Sequence, residues 1–231
     1  MSLKKLISGL TLSLLLSSGV AVAANYDNAY KSGGYKAVFK EMLPFAEQGN
    51  ADAQFWIASM YKFGQGVPEN HKTAVKWFTL AAEQGYAEAQ KNLAVMYKFG
   101  QGVPENQKTA ENWFTLAANQ GNAEAQENLA VIYKYGQGVA ENHKIAVKWY
   151  TLAAEQGYAN AQDNMGALYE YGDGVFTDYR RAYMWYNLSS YNGSEKAGKH
   201  KDTLAKKMTT ADISKAQDMS SLCLESNYTD C

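Results

Sequence analysis

A chain of 231 residues with 22 basic and 23 acidic side chains has a formal charge near −1. That balance excludes the general basic surface by which proteins hold nucleic acid or anionic membranes. Two cysteines are too few for a cysteine metal site.

Residues 1–23 read as a secretory signal. Lys4 and Lys5 form the charged start, Leu6 to Val20 the apolar stretch, and Ala21-Val22-Ala23 an A-x-A cleavage site, with cleavage after Ala24 equally acceptable. The apolar stretch is short for a membrane anchor, and no cysteine follows it for lipid attachment. The mature chain is therefore expected to be exported without an anchor, to a bacterial periplasm or beyond. Residues 24–50 form an N-terminal cap: Asn25–Gly33 as a short frayed helix, then a helix from Tyr35 to Gln48 that Pro44 is expected to bend.

From Ala51 the chain repeats itself. Copies start at Ala51, Ala87, Ala123 and Ala159, a constant stride of 36 residues, which is the signature of a repeat array. In the copy at 87–122, Ala89, Leu93, Met96 and Tyr97 mark one face of a helix. Gly100 and Gly102 end it, Pro104 lies in the turn, and Asn106 is placed to cap a second helix. That helix carries Ala110, Trp113, Phe114, Ala117 and Ala118 and closes at Gly121. The caps recur at Asn70, Asn142 and Asp178, and the closing glycines at Gly49, Gly85, Gly157 and Gly193. Trp77, the counterpart of Trp113, is expected in the core, so its truncation to Ala would cost roughly 3–5 kcal/mol. A single hairpin cannot bury its own stripe, and stacking gives an all-α solenoid of four copies at 51–86, 87–122, 123–158 and 159–194.

The run Y-x-x-G-x-G-V followed by W-[FY]-x-x-A-A-x-x-G resembles the Sel1-like repeat family, relatives of the tetratricopeptide repeats. The resemblance covers 51–194, and Gly34–Asn50 is similar to the second half of a degenerate leading copy. In the fourth copy Ser189 and Ser190 replace the alanine pair, as at an end repeat. The resemblance implies a right-handed α-solenoid capped by residues 195–231. It also implies a non-catalytic scaffold binding a protein or peptide: an envelope-signalling regulator, an immunity protein or a host-protein binder. Cysteine-rich relatives suggest a competing enzyme acting on β-lactams or peptidoglycan, and a purely structural spacer is the third reading.

In the cap, Ser194 is placed to start a helix through Lys207, and Thr209-Thr210-Ala211-Asp212 a last helix to about Cys223. Lys196, Lys199, Lys201, Lys206 and Lys207 are read as a solvated basic face. In an oxidising compartment Cys223 and Cys231 are expected to pair and staple the tail.

Searching for chemistry returns little. Ser59-x-x-Lys62 fits a serine-nucleophile motif, but the equivalent positions are Val95, Val131 and Ala167 and the companion motifs are missing. His71 and His143 share a register too widely spaced for one metal, and His200 lies among lysines. No catalytic residue, metal or cofactor is expected.

Copies one and two differ at ten positions, four of them on what reads as the exposed flank of the first helix: Asp52/Glu88, Phe55/Lys91, Trp56/Asn92 and Ser59/Val95. In a tetratricopeptide-like array that flank lines a concave groove. The expected lining is Trp56, Asn92, Asn128 and Asn164 in one row and Lys62, Lys98, Lys134 and Glu170 in another, with Phe55 beside Trp56. Asparagine amides suit a peptide backbone and lysines suit carboxylates; aromatics are enriched at binding hot spots. A third row, Phe63, Phe99, Tyr135 and Tyr171, is assigned to packing between repeats. Phe55 and Trp56 have packing against the N-terminal cap as their alternative.

Overall fold

The computed structural model describes residues 34–229 and 231; the expected signal sequence and the helix expected at 25–33 lie outside them. Eleven helices and no strand occur among the described residues. The chain divides into two compact units. One runs to Ala89 and includes Gln101–Val103; the other comprises Gln90–Gly100 and Pro104–Cys231.

The first unit holds α1 (Tyr35–Glu47), α2 (Ala51–Phe63) and α3 (His71–Glu83). Helix α1 packs on α2, and α2 on α3. Pro44 lies inside α1, and the helix runs on past it to Glu47. Asn50 accepts from the Ala53 N–H at 2.8 Å and Asn70 from the Thr73 N–H at 3.0 Å, each satisfying a donor the helix cannot. Val38, Met42, Ile57, Met60 and Phe78 fill the interior, each large side chain contributing about 1.5–3 kcal/mol through burial. Trp77 is only half-buried against this cluster. The fully buried ring is its neighbour Phe78, because one helical step turns the side chain by about 100°. The large truncation cost therefore belongs to Phe78.

Helix α4 (Ala87–Phe99) begins at the end of the first unit and continues in the second. The second unit adds α5 (Gln107–Asn119), α6 (Ala123–Tyr135), α7 (His143–Ala154), α8 (Ala159–Tyr171), α9 (Tyr179–Tyr191), α10 (Glu195–Ala205) and α11 (Thr210–Glu225). Each of α5 to α8 packs on its successor, and α9 packs on α8, α10 and α11. Asn106, Asn142 and Asp178 cap α5, α7 and α9 as expected from their register. Asn122 also caps α6, whereas Tyr158 stands at the start of α8 with no side-chain cap. The glycine-rich turns carry a tertiary requirement as well. A Cβ on Gly138 would lie 2.6 Å from Gln107 Cβ, and one on Gly174 2.9 Å from the backbone of His143. These turns thus rest directly on the helix starts one repeat earlier.

A polar ladder that the sequence reading passed over holds the hairpins in register. Gln54 is buried; its amide donates to Ala46 O and its oxygen accepts from Gln84 Nε2 at 2.7 Å. In the second unit Gln126 repeats this with Ala118 O and Gln156, and Gln162 with Ala154 O and Asn192. Each glutamine thereby adds a second bond to a helix C-terminal carbonyl that already accepts from the closing glycine, and ties that helix end to the next hairpin. Its recurrence as the fourth residue of each copy was visible; its partners were not.

Ser194 caps α10, and Thr209 caps α11 in a reciprocal pair with Asp212. Cys223 is buried against α9 residues and joined to Cys231. Ser189, one of the substituted alanines, is buried and donates to Ala159 O at 2.7 Å.

Candidate functional site: the flank of the first helices

In the first unit the expected groove residues turn inward. Phe55 is half-buried, its ring 5.6 Å from that of Trp56, 5.9 Å from Phe78 and 5.2 Å from Tyr86. Trp56 packs against the cluster containing Val38 and Met42 of α1. The packing alternative therefore describes Trp56, and Phe55 serves the same core. Ser59 is buried too, and its hydroxyl donates to Phe55 O at 2.9 Å. This removes it from the exposed flank and engages the one hydroxyl that fitted a nucleophile motif. Burial together with the Asp52 carboxylate pushes the Tyr86 hydroxyl up to about 12. Lys62 stands over the Phe63 ring, 5.1 Å from its centroid.

In the second unit the asparagine row is half-buried. Asn128 Nδ2 donates to Glu124 O and Asn164 Nδ2 to Asn160 O, both at 2.9 Å. One N–H of each amide is thus used one turn back on its own helix. Lys98 donates to Asn128 Oδ1 at 3.4 Å. Burial lowers its pKa, against the opposing charge of Glu127; burial likewise raises the Glu127 carboxyl, against Lys98. Lys91 bonds Glu124 at 2.9 Å.

The fourth register is closed by the cap. Asp163 is buried and accepts from Lys196 Nζ at 3.2 Å and lies 2.8 Å from His200 Nδ1. Glu170 is buried and accepts from Lys207 Nζ at 2.9 Å and Tyr186 Oη at 3.0 Å. Lys201 donates to Asn187. Three of the cap lysines also reach back to the last repeat: Lys196 and Lys207, though exposed, pair with buried carboxylates that require paired charge, and Lys201 meets the Asn187 amide, while Lys199 and Lys206 are exposed as read.

The third row departs most from expectation. Phe63, Phe99, Tyr135 and Tyr171 do not pack between repeats: they are 59, 63, 61 and 69% exposed. Each ends a first helix just before its glycine, so its ring clears the neighbouring hairpin. Lys98 lies 5.6 Å from the Phe99 ring and Lys134 5.4 Å from that of Tyr135.

His71 and His143 pair with Glu69 and Glu141 two residues away, and among the described residues no three metal-ligating side chains cluster. No described helix is long and apolar enough to cross a membrane.

Tandem helix hairpins of a single period, joined through buried apolar stripes and a glutamine ladder, define an α-solenoid repeat protein. Residues 51–86, 87–122, 123–158 and 159–194 each match the Sel1 repeat, and the chain belongs to the Sel1 repeat family. It is similar to a Sel1 repeat protein from Oxalobacter formigenes, at 34% identity and a TM-score of 0.70 over 76% of this chain and 72% of that one. It is also similar to a protective antigen of uropathogenic Escherichia coli displaying an SLR fold, at 36% identity and a TM-score of 0.76 over 83% of this chain. The match spans only 42% of that longer antigen. No curated protein matches the chain. Sel1 repeats generally mediate protein–protein interaction, and the family is generally not enzymatic.

Proposed function

We propose that the protein is exported and acts as a non-catalytic scaffold that binds a protein or peptide partner. One observation carries this reading. Caps, turn glycines and buried residues recur from copy to copy, while the buried acids among the described residues of the second unit, Glu111, Asp163 and Glu170, are engaged by neighbouring side chains. What remains for function is a periodic outer surface without a nucleophile–base pair, which suits recognition. The signal-like start supports export to the periplasm or beyond, and the relative that is a protective antigen fits an exported location. Within this reading the partner belongs to envelope signalling, to an antibacterial effector or to a host. The enzyme alternative gains no support from Ser59, whose hydroxyl is bonded to its own helix.

The test is cross-linking of the full chain expressed in a Gram-negative host, with cell fractionation and mass spectrometry. Mature protein beginning at residue 24 or 25 in the envelope or medium, cross-linked reproducibly to one protein, is the expected result. Unprocessed cytoplasmic protein would overturn export. Turnover of a β-lactam or of peptidoglycan, lost in Ser59→Ala, would overturn the non-catalytic reading.

A further inference from the structure

The row of exposed rings has a chemistry of its own. In the second unit Phe99, Tyr135 and Tyr171 stand at the ends of α4, α6 and α8. An ammonium accompanies the first two, Lys98 and Lys134, at cation–π distance. Glu170 would place a negative charge at the third position. Lys207, from beyond α10, reaches back to it at 2.9 Å and cancels that charge. The row therefore keeps its rings throughout, and the acid that the fourth repeat places in the lysine register is paired. The first unit carries one such pair by itself, Lys62 with Phe63.

We propose that this strip, rather than the asparagine row, docks an extended acidic peptide whose carboxylates alternate with apolar side chains. The proposal rests on the scaffold reading above. Spacing favours such a partner. Lys98 Nζ reaches Asn128 on the next first helix, α6, at 3.4 Å, so successive registers of the strip lie within the reach of one side chain. An extended chain rises about 3.3 Å per residue, so carboxylates about three residues apart meet successive lysines while the side chains between them cover the rings. Single-stranded nucleic acid also uses rings and cations, but it carries a phosphate at every nucleotide. Here one cation accompanies each of two rings, Phe99 and Tyr135, and the exposed turn acids Glu105 and Glu141 lie within the same turns. A sparse acidic peptide tolerates that arrangement; a polyphosphate does not.

The experiment is fluorescence anisotropy of the full chain with a fluorescein-labelled peptide of about four Glu-Phe-Ser triplets, set by the spacing just given. Controls are the same peptide with Gln for Glu, with Ser for Phe, and labelled oligothymidylate. Two variants are compared with wild type, Phe99→Ser/Tyr135→Ser/Tyr171→Ser and Lys98→Gln/Lys134→Gln. All three rings are exposed, so unchanged thermal melts are expected of the first variant. Saturable binding that weakens about tenfold or more in each variant and in both control peptides supports the proposal. Equal binding by wild type and the ring variant would overturn it, as would no binding at all. Preference for oligothymidylate, or for pelleted vesicles of anionic phospholipid, would replace the peptide with that ligand. If the cross-linked cellular partner is retained by the ring variant, the scaffold reading survives and this strip is not its site.

Discussion

Repeat three leaves Leu152 36% exposed, whereas its counterpart in repeat four, Leu188, is fully covered and belongs to the cluster around Cys223. The same contrast runs through the pair. Tyr150 Oη is buried with no hydrogen-bond partner, while Tyr186 Oη donates to Glu170. Glu127 makes no ion pair among the described residues, while Asp163 at the same register is held by Lys196 and His200. Ala130 becomes Gly166, where the Tyr186 ring lies so close that a Cβ would sit 2.5 Å from Cδ1. Identical backbone registers thus acquire different roles according to the neighbour that packs on their C-terminal side. Repeat three is covered by another repeat; repeat four is covered by α10 and α11, which turn an outer leucine into core and groove-side acids into ion pairs.

Truncation should separate the two repeats most. Leu188→Ala is expected to cost about 2–5 kcal/mol in chemical denaturation, against about 0.5 kcal/mol or less for Leu152→Ala. Equal losses would mean that α11 does not stabilise the fourth repeat through this leucine. Next in size is Gly166→Ala, which must displace a ring pinned by Glu170 and should cost about 1–3 kcal/mol. The mirror change Ala130→Gly loses helix propensity, about 1 kcal/mol, and the burial of one methyl; thermal melts of both would show whether the glycine exists for the ring. A difference of comparable size should follow removal of one hydroxyl. Tyr186→Phe strips a donor from a buried carboxylate and should destabilise by about 1.5–3 kcal/mol, while Tyr150→Phe removes a donor that has no acceptor and should be neutral or slightly stabilising.

The smallest expected effect depends on pH. The Glu127 carboxyl is raised in the folded protein by burial, with Lys98 opposing. Between its unfolded and folded pKa the native state therefore holds more protons than the unfolded state, and stability falls as pH rises through that window. Glu127→Gln should raise the melting temperature slightly at neutral pH and lose that advantage below the ordinary glutamate range. An advantage that persists at acid pH would show that ionisation is not its origin.

Much of the fold was legible because its signals are local. Asn106, Asn142 and Asp178 cap the helices their register demanded, since a capping side chain needs only the next turn of its own chain. The 36-residue stride likewise announced hairpins that bury a shared stripe. Errors came where a residue's role depends on a neighbouring helix. Trp77 and Phe78 are adjacent, both aromatic and both on the predicted stripe, and the angle at which α2 meets α3 decides which one is sealed. Ser59 and Phe55 read as exposed flank because a helical wheel does not show the Phe78 and Tyr86 rings that close over Phe55. The aromatic row read as packing because large apolar residues at a fixed period are usually core; only their position at the helix ends, past the edge of the next hairpin, leaves them open.

Sequence alone therefore determined the helix content, the period, the caps and the class of protein, because each arises from backbone satisfaction and periodic burial within about one repeat. Tertiary structure decided which surface is left to meet a partner. It turns one N–H of each of the Asn128 and Asn164 amides onto its own helix, closes Asp163 and Glu170 with lysines 33 and 37 residues away, and exposes the rings beside Lys98 and Lys134. Exposure is set by what packs alongside, and that is a property of neighbouring helices rather than of any one stretch of chain.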